Sequence, residues 1–175
     1  MTTATEIIDD LRHPPPLATN GQRWELISDR VMGGVSGGVL ERATVDGRMA
    51  LRLRGTVSLR NNGGFLQCAL DLAAGGSAVD ASGWAGVQVD VCGNGESYNL
   101  HLRSTDLDRP WQSFRHGFDA PPRWQRLRLP FAGFAAHRTD QPLRLTRLRR
   151  LGLVAIGREF EADLCLADIR FYAEA

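Results

Sequence analysis

Apolar and polar residues alternate with a period of two along most of this chain, the pattern of strands that bury one face and leave the other to polar side chains. Val39–Thr44 and Met49–Arg54 alternate on either side of Asp46-Gly47, a dipeptide suited to a tight turn, and predict a β-hairpin. Phe65–Leu72 follows a second turn, Asn61-Asn62-Gly63-Gly64. Val87, Val89 and Val91 mark one face of a strand whose other face carries Gln88 and Asp90. After Gly93-Asn94-Gly95, Tyr98, Leu100 and Leu102 alternate with Asn99, His101 and Arg103. Further strands are predicted over Trp111–Phe118, Trp124–Leu129, Leu148–Ile156 and Ala162–Tyr172. Short strands separated by Gly and Pro breaks, with no helical period after residue 22, predict an all-β antiparallel sandwich or barrel. A parallel sheet would need crossover helices, and the pattern contains none.

The first twenty residues read differently. Thr3-Ala4-Thr5-Glu6 has the spacing of a capping box, Ile7, Ile8 and Leu11 follow on one helical face, and Pro14-Pro15-Pro16 stops the run. A short N-terminal helix and proline-rich linker are therefore expected over residues 1–21, with one β-sandwich domain over residues 22–175. A helix of about ten residues is marginal alone, so its apolar face is expected to pack on the domain.

Composition narrows the chemistry. The 175 residues hold 21 basic and 20 acidic groups, so no global field draws the molecule toward nucleic acid or membranes. Every basic residue is arginine; the absence of lysine excludes a Schiff-base lysine and a phosphate-loop lysine. Cys68, Cys92 and Cys165 are too widely spaced for a zinc or dithiol motif and read as free thiols. The four histidines show no metal-ligand spacing, and no nucleophile elbow is present. No cofactor, metal or catalytic residue is expected. Acidic residues near the start and the lack of a long apolar window point to a cytoplasmic protein without a membrane span.

Two glycine-rich stretches stand out: Ser28–Gly38, which holds Asp29, Arg30, Gly33 and Gly34, and Val57–Phe65, which holds Asn61, Asn62, Gly63 and Gly64. The first could cradle an anion, but it runs into a strand rather than a helix, which argues against a phosphate loop. A structural turn is expected, with Asp29 pairing with Arg30 or capping loop amides. These stretches, followed in order by Gly93-x-Gly95-x-x-Tyr98 and Trp124…Leu129-Pro130-Phe131-x-x-Phe134, resemble the complex I intermediate-associated protein 30 family from about Trp24 to Tyr172. The resemblance implies a galactose-binding-like jelly roll in a family whose mitochondrial member helps to assemble respiratory complex I as a non-catalytic factor. It implies no particular sugar.

If the strands carrying Gln88/Asp90 and Asn99/His101/Arg103 are neighbours, their polar side chains share one sheet face, with Trp111 and Arg115 on the following strand. Such a face, with charge from Arg126, could grip a protein partner. A carbohydrate or small polar ligand on the same face is the alternative. Arg123 to Arg150 is a basic run of eight arginines opposed by Asp140 alone. Without stacking aromatics beyond Trp124 it argues against nucleic-acid binding and reads as an exposed arginine-rich face.

Overall fold

The alternating segments close into two antiparallel sheets packed face to face. The computed structural model describes residues 4–174. Among them the strands are β1 (Thr5–Asp9), β2 (Glu25–Ser28), β3 (Gly37–Val45), β4 (Arg48–Val57), β5 (Phe65–Asp71), β6 (Gly86–Cys92), β7 (Ser97–Ser104), β8 (Ser113–Asp119), β9 (Gln125–Pro130), β10 (Ala135–His137), β11 (Leu148–Ile156) and β12 (Phe160–Tyr172). The first sheet runs β3-β4-β12-β6-β9 with β1 also on β12, and the second runs β10-β8-β7-β11-β5-β2. Both contribute apolar side chains to one core: Val87, Val89 and Val91 from the first, Leu66, Leu100, Leu102, Leu151 and Leu153 from the second. Outward positions between them are polar, as the alternation requires in a two-sheet sandwich.

The N-terminal segment corrects the sequence reading. Thr5–Asp9 is a strand, not a helix, and pairs antiparallel with β12 through Thr5↔Tyr172, Glu6↔Phe171 and Ile7↔Arg170. Thr3, the expected helix cap, lies outside the described residues. The reason lies in β12, whose first half pairs with β4 up to Leu166 and whose second half would otherwise present an open edge. Filling that edge satisfies backbone groups that so short a helix would leave to water. Ile8 is buried, and the fully buried Asp9 accepts hydrogen bonds from Trp24 Nε1, the Leu11 and Thr19 amides and the Thr19 hydroxyl.

Ser28–Gly38 and Asn61–Gly64 form a single latch. Asp29 opens a short 3-10 turn, Asp29–Met32, that ends on Gly33 in the left-handed region (φ 87°). Its carboxylate is fully buried and accepts from the Ser36 amide and hydroxyl and from the Gly64 and Phe65 amides. Of the two roles foreseen for Asp29, amide capping is the one realised; Arg30 Nε instead donates to the Ser36 carbonyl. Asn61 and Asn62 both turn left-handed, and Asn61 Nδ2 donates to the Gly33 carbonyl. A methyl group at Gly34 or Gly63 would overlap the Asp29 carboxylate, so these glycines are required by packing rather than by torsion.

Candidate functional site

Consecutive strands β6 and β7 lie in different sheets, so the shared polar face expected from their sequences does not form. Gln88 and Asp90 project from the outside of the first sheet. Asn99, His101 and Arg103 project from the outside of the second, on the far side of the molecule. Each strand turns its apolar residues inward, but from opposite sheets.

On the first sheet the polar groups satisfy one another. Asp90, only 3% exposed, accepts from Arg48 Nη2 at 3.1 Å and from Arg126 Nε at 2.9 Å. Burial alone would raise its pKa, but the two guanidiniums hold the carboxyl below the usual carboxylate range. Gln88 accepts from Arg128 Nε, Arg52 forks onto Asp163, Arg54 pairs with Glu41, and Arg170 pairs with Asp168. Arg48 also lies 4.9 Å over Trp124, whose indole donates to the Val45 carbonyl. Asp90 and Arg126 therefore belong to a set of arginine–carboxylate pairs, and Gln88 holds Arg128 beside them.

On the second sheet Arg150 is paired with Asp71 and Glu25, but the groups around His101 have no charge partner among the described residues. His101 stands opposite Arg115 on β8 and Gly152 on β11, and Gly152 in turn stands opposite Ala69 on β5. The imidazole is 8% exposed, with Nε2 buried and without a hydrogen-bond partner among the described residues. Burial, then Arg115 and His137, push its pKa down to about 3. Arg115 donates to Ser113 Oγ, and Arg103 donates from Nη2 to the Arg109 carbonyl. Neither has a carboxylate within ion-pair reach among the described residues. Burial lowers the pKa of both, reinforced by Arg149 and Arg150 around Arg103 and by Arg138 near Arg115. Asn99 stands opposite Gly117 and Val154 on the same face, and Trp111, 53% exposed, sits in the loop entering β8. The structure thus brings Asn99, His101, Arg103 and Arg115 together, places Trp111 at their rim, and separates Gln88, Asp90 and Arg126 from them.

Sequence reading missed Gln67, which lies over Gly152, and His137, which joins the face through the pairing of β10 with β8. Both arrive by long-range pairing, for which alternation within one strand carries no signal. It also treated the arginine run as one exposed face. In the fold Arg126 and Arg128 belong to the first sheet, Arg144 and Arg147 pair with Asp106, and Arg150 pairs with Asp71 and Glu25. The three thiols are buried; burial pushes Cys68 up to about 12 and raises Cys92 as well. Cys165 shares a face with Cys92 rather than with Ile169 and Phe171, because a bulge between Leu166 and Asp168 reverses the phase of β12. No helix among the described residues is long and apolar enough to cross a membrane.

These sheets define a jelly-roll β-sandwich module. The fold matches the family 11 carbohydrate-binding module of a cellulosomal cellulase of Clostridium thermocellum with a TM-score of 0.77 at 11% identity, covering 99% of this chain and 97% of that one. A Clostridium thermocellum family 11 module in complex with a β-1,3-1,4-mixed-linked tetrasaccharide gives 0.74 at 12% identity, covering 99% and 98%. The family 30 module of another cellulosomal cellulase of that organism gives 0.66 at 14% identity, covering 99% of each chain. No curated protein sequence matches the chain. Its residues 15–166 match the model of complex I intermediate-associated protein 30, and the chain belongs to that family.

Proposed function

We propose that this protein is a non-enzymatic binding module of the assembly-factor kind, gripping an acidic protein surface through the outer face of the second sheet. The observation that carries the reading is that Arg103 and Arg115, half-buried on one face beside the buried His101, have no carboxylate partner among the described residues. Planar guanidiniums held in this way suit carboxylates supplied from outside. Asn99 adds a directional contact and Trp111 adds apolar area at the rim. Family membership supports a role in assembly, and no residue arrangement on this face supports a reaction.

Affinity capture with wild type, with Arg103→Ala/Arg115→Ala, and with Arg52→Ala on the opposite face tests the reading. Proteins held by wild type and by the opposite-face control, but lost from the double variant, are expected. Identical captured sets for all three, or capture of nothing specific by wild type, would overturn it.

A carbohydrate ligand on the same face is the second reading, favoured by the fold's likeness to modules that include one solved with a tetrasaccharide. Sugars present C–H surfaces that pack on aromatic rings, and here Trp111 is such a ring, located at the rim. A thermal-shift screen with β-glucan oligosaccharides decides: a rise in Tm abolished by Trp111→Ala favours the sugar, and flat traces remove it.

A further inference from the structure

Strand β11 contains an extra residue. Leu148 pairs with Ser104 and Arg150 with Arg103, so Arg149 is bulged out between them. Leu148 and Leu151 are both buried, and two intervening residues can both face away from the core only if the alternation is broken there. Arg150 is neutralised by Asp71 at 2.7 Å and Glu25 at 3.4 Å. Arg149 has no carboxylate within ion-pair reach among the described residues, and neither does Arg103.

The Nε atoms of Arg103 and Arg149 are both buried without a hydrogen-bond partner among the described residues. Both side chains line a cavity of about 350 Å³ completed by Thr105, Leu107, Asp108 and Pro110. The left-handed Gly76 (φ 72°) lies beside Arg149, 3.0 Å from Nη1 to an added Cβ. Arg103 spends Nη2 on the Arg109 carbonyl, but two neighbouring like charges whose buried Nε donors are unused are unfavourable unless an anion lies between them. A guanidinium fork matches the geometry of a phosphoryl group, and a pair of forks matches its double charge.

We propose that Arg103 and Arg149 form a binding site for a doubly charged oxyanion of the phosphate class, at the end of the second sheet where β7 and the bulge of β11 meet. The Thr105 hydroxyl is an exposed donor at this site. Asp108 sets a carboxylate at the same cavity, exposed and therefore screened by solvent, and opposes the anion. The site shares Arg103 with the proposed grip, but Arg149 takes no part in that grip, so the Arg149 variants read the anion site alone.

Isothermal titration at low ionic strength with inorganic phosphate and with phenyl phosphate tests the site, using wild type, Arg149→Leu, Arg149→Lys, Asp108→Asn and, as a control on the far face, Arg52→Leu. Saturable binding by wild type and by the control is expected, weakened about tenfold or more in Arg149→Leu. Arg149→Lys, which keeps the charge and loses the fork, should fall between them, and Asp108→Asn should bind more tightly. Tighter binding of phenyl phosphate than of inorganic phosphate identifies an esterified ligand, and the reverse order identifies the free ion. Absence of saturable binding by wild type, or equal binding by wild type and both Arg149 variants, would overturn the proposal. Partner capture reads the grip of the face separately, so either reading can fail without the other.

Discussion

On the outside of the first sheet, Asp90 lies between Arg48 and Arg126, Asp163 takes the fork of Arg52, and Gln88 takes Arg128. On the outside of the second, Arg103 and Arg115 flank an imidazole whose Nε2 meets no protein partner. Both faces are built from arginine and polar side chains on alternate strand positions, so composition does not separate them. What separates them is that the buried Asp90 of the first is neutralised by arginines of the same sheet, whereas Arg103 and Arg115 of the second have no carboxylate among the described residues. A lattice of paired charges holds strands together and offers little to a visitor. Half-buried charges without partners weaken the free protein, and that cost is recovered when a ligand supplies what is missing.

That contrast can be broken by experiment. The largest effect at neutral pH is expected from Asp90→Ala, which removes three hydrogen bonds from Arg48 and Arg126. Both arginines remain exposed enough to rehydrate, so the loss should be about 2 kcal/mol, below the roughly 3–5 kcal/mol of a stranded buried charge. Urea denaturation measures it. A loss no greater than that of Arg115→Ala would erase the distinction between the faces.

A response to acid comes next, read as a slope with pH rather than as a loss at one pH. The folded pKa of His101 is about 3, against 6.5 for the free side chain, with Arg115 and His137 facing it. The unfolded chain therefore binds a proton that the folded chain excludes. The stability from this group is complete above about pH 6.5 and declines as pH falls toward 3, at about 1.4 kcal/mol per pH unit. His101→Leu should remove that component of the slope in denaturation curves recorded between pH 6 and 4. An unchanged slope would mean that His101 is protonated in the fold.

The smallest effect sharpens the comparison most. At neutral pH, His101→Leu should change stability by less than about 0.5 kcal/mol, or raise it slightly, because it removes a desolvated polar group without stranding a partner, and Arg115→Ala should cost under about 1 kcal/mol, because it leaves only the Ser113 hydroxyl without its donor. A loss above about 1 kcal/mol in either would assign that side chain to the scaffold.

Alternation made the strands legible, and with them the two-sheet architecture, because each strand buries one face against the other sheet. It could not tell whether β6 and β7 lie side by side or face each other across the core: Val89 and Leu100 point inward in both arrangements, and only the turn at Gly93–Gly95 decides. Residues at phase breaks were equally illegible. Arg149 and Cys165 lie on faces that a regular strand would deny them, since one extra residue reverses every side chain beyond it. The N-terminal strand was hidden by a local signal for helix, which the open edge of β12 outweighed.

The latch around Asp29 has a consequence for descent. Its carboxylate occupies the space that a side chain would need at Gly34 and at Gly63, and it binds Ser36 and Gly64, so positions some thirty residues apart behave as one inherited unit. No member of that unit can be replaced alone without a clash or a buried amide left unsatisfied. Relatives that have lost the aspartate are expected to have abandoned the glycines too, and a distant homologue is better sought by that set of positions than by any one of the turns.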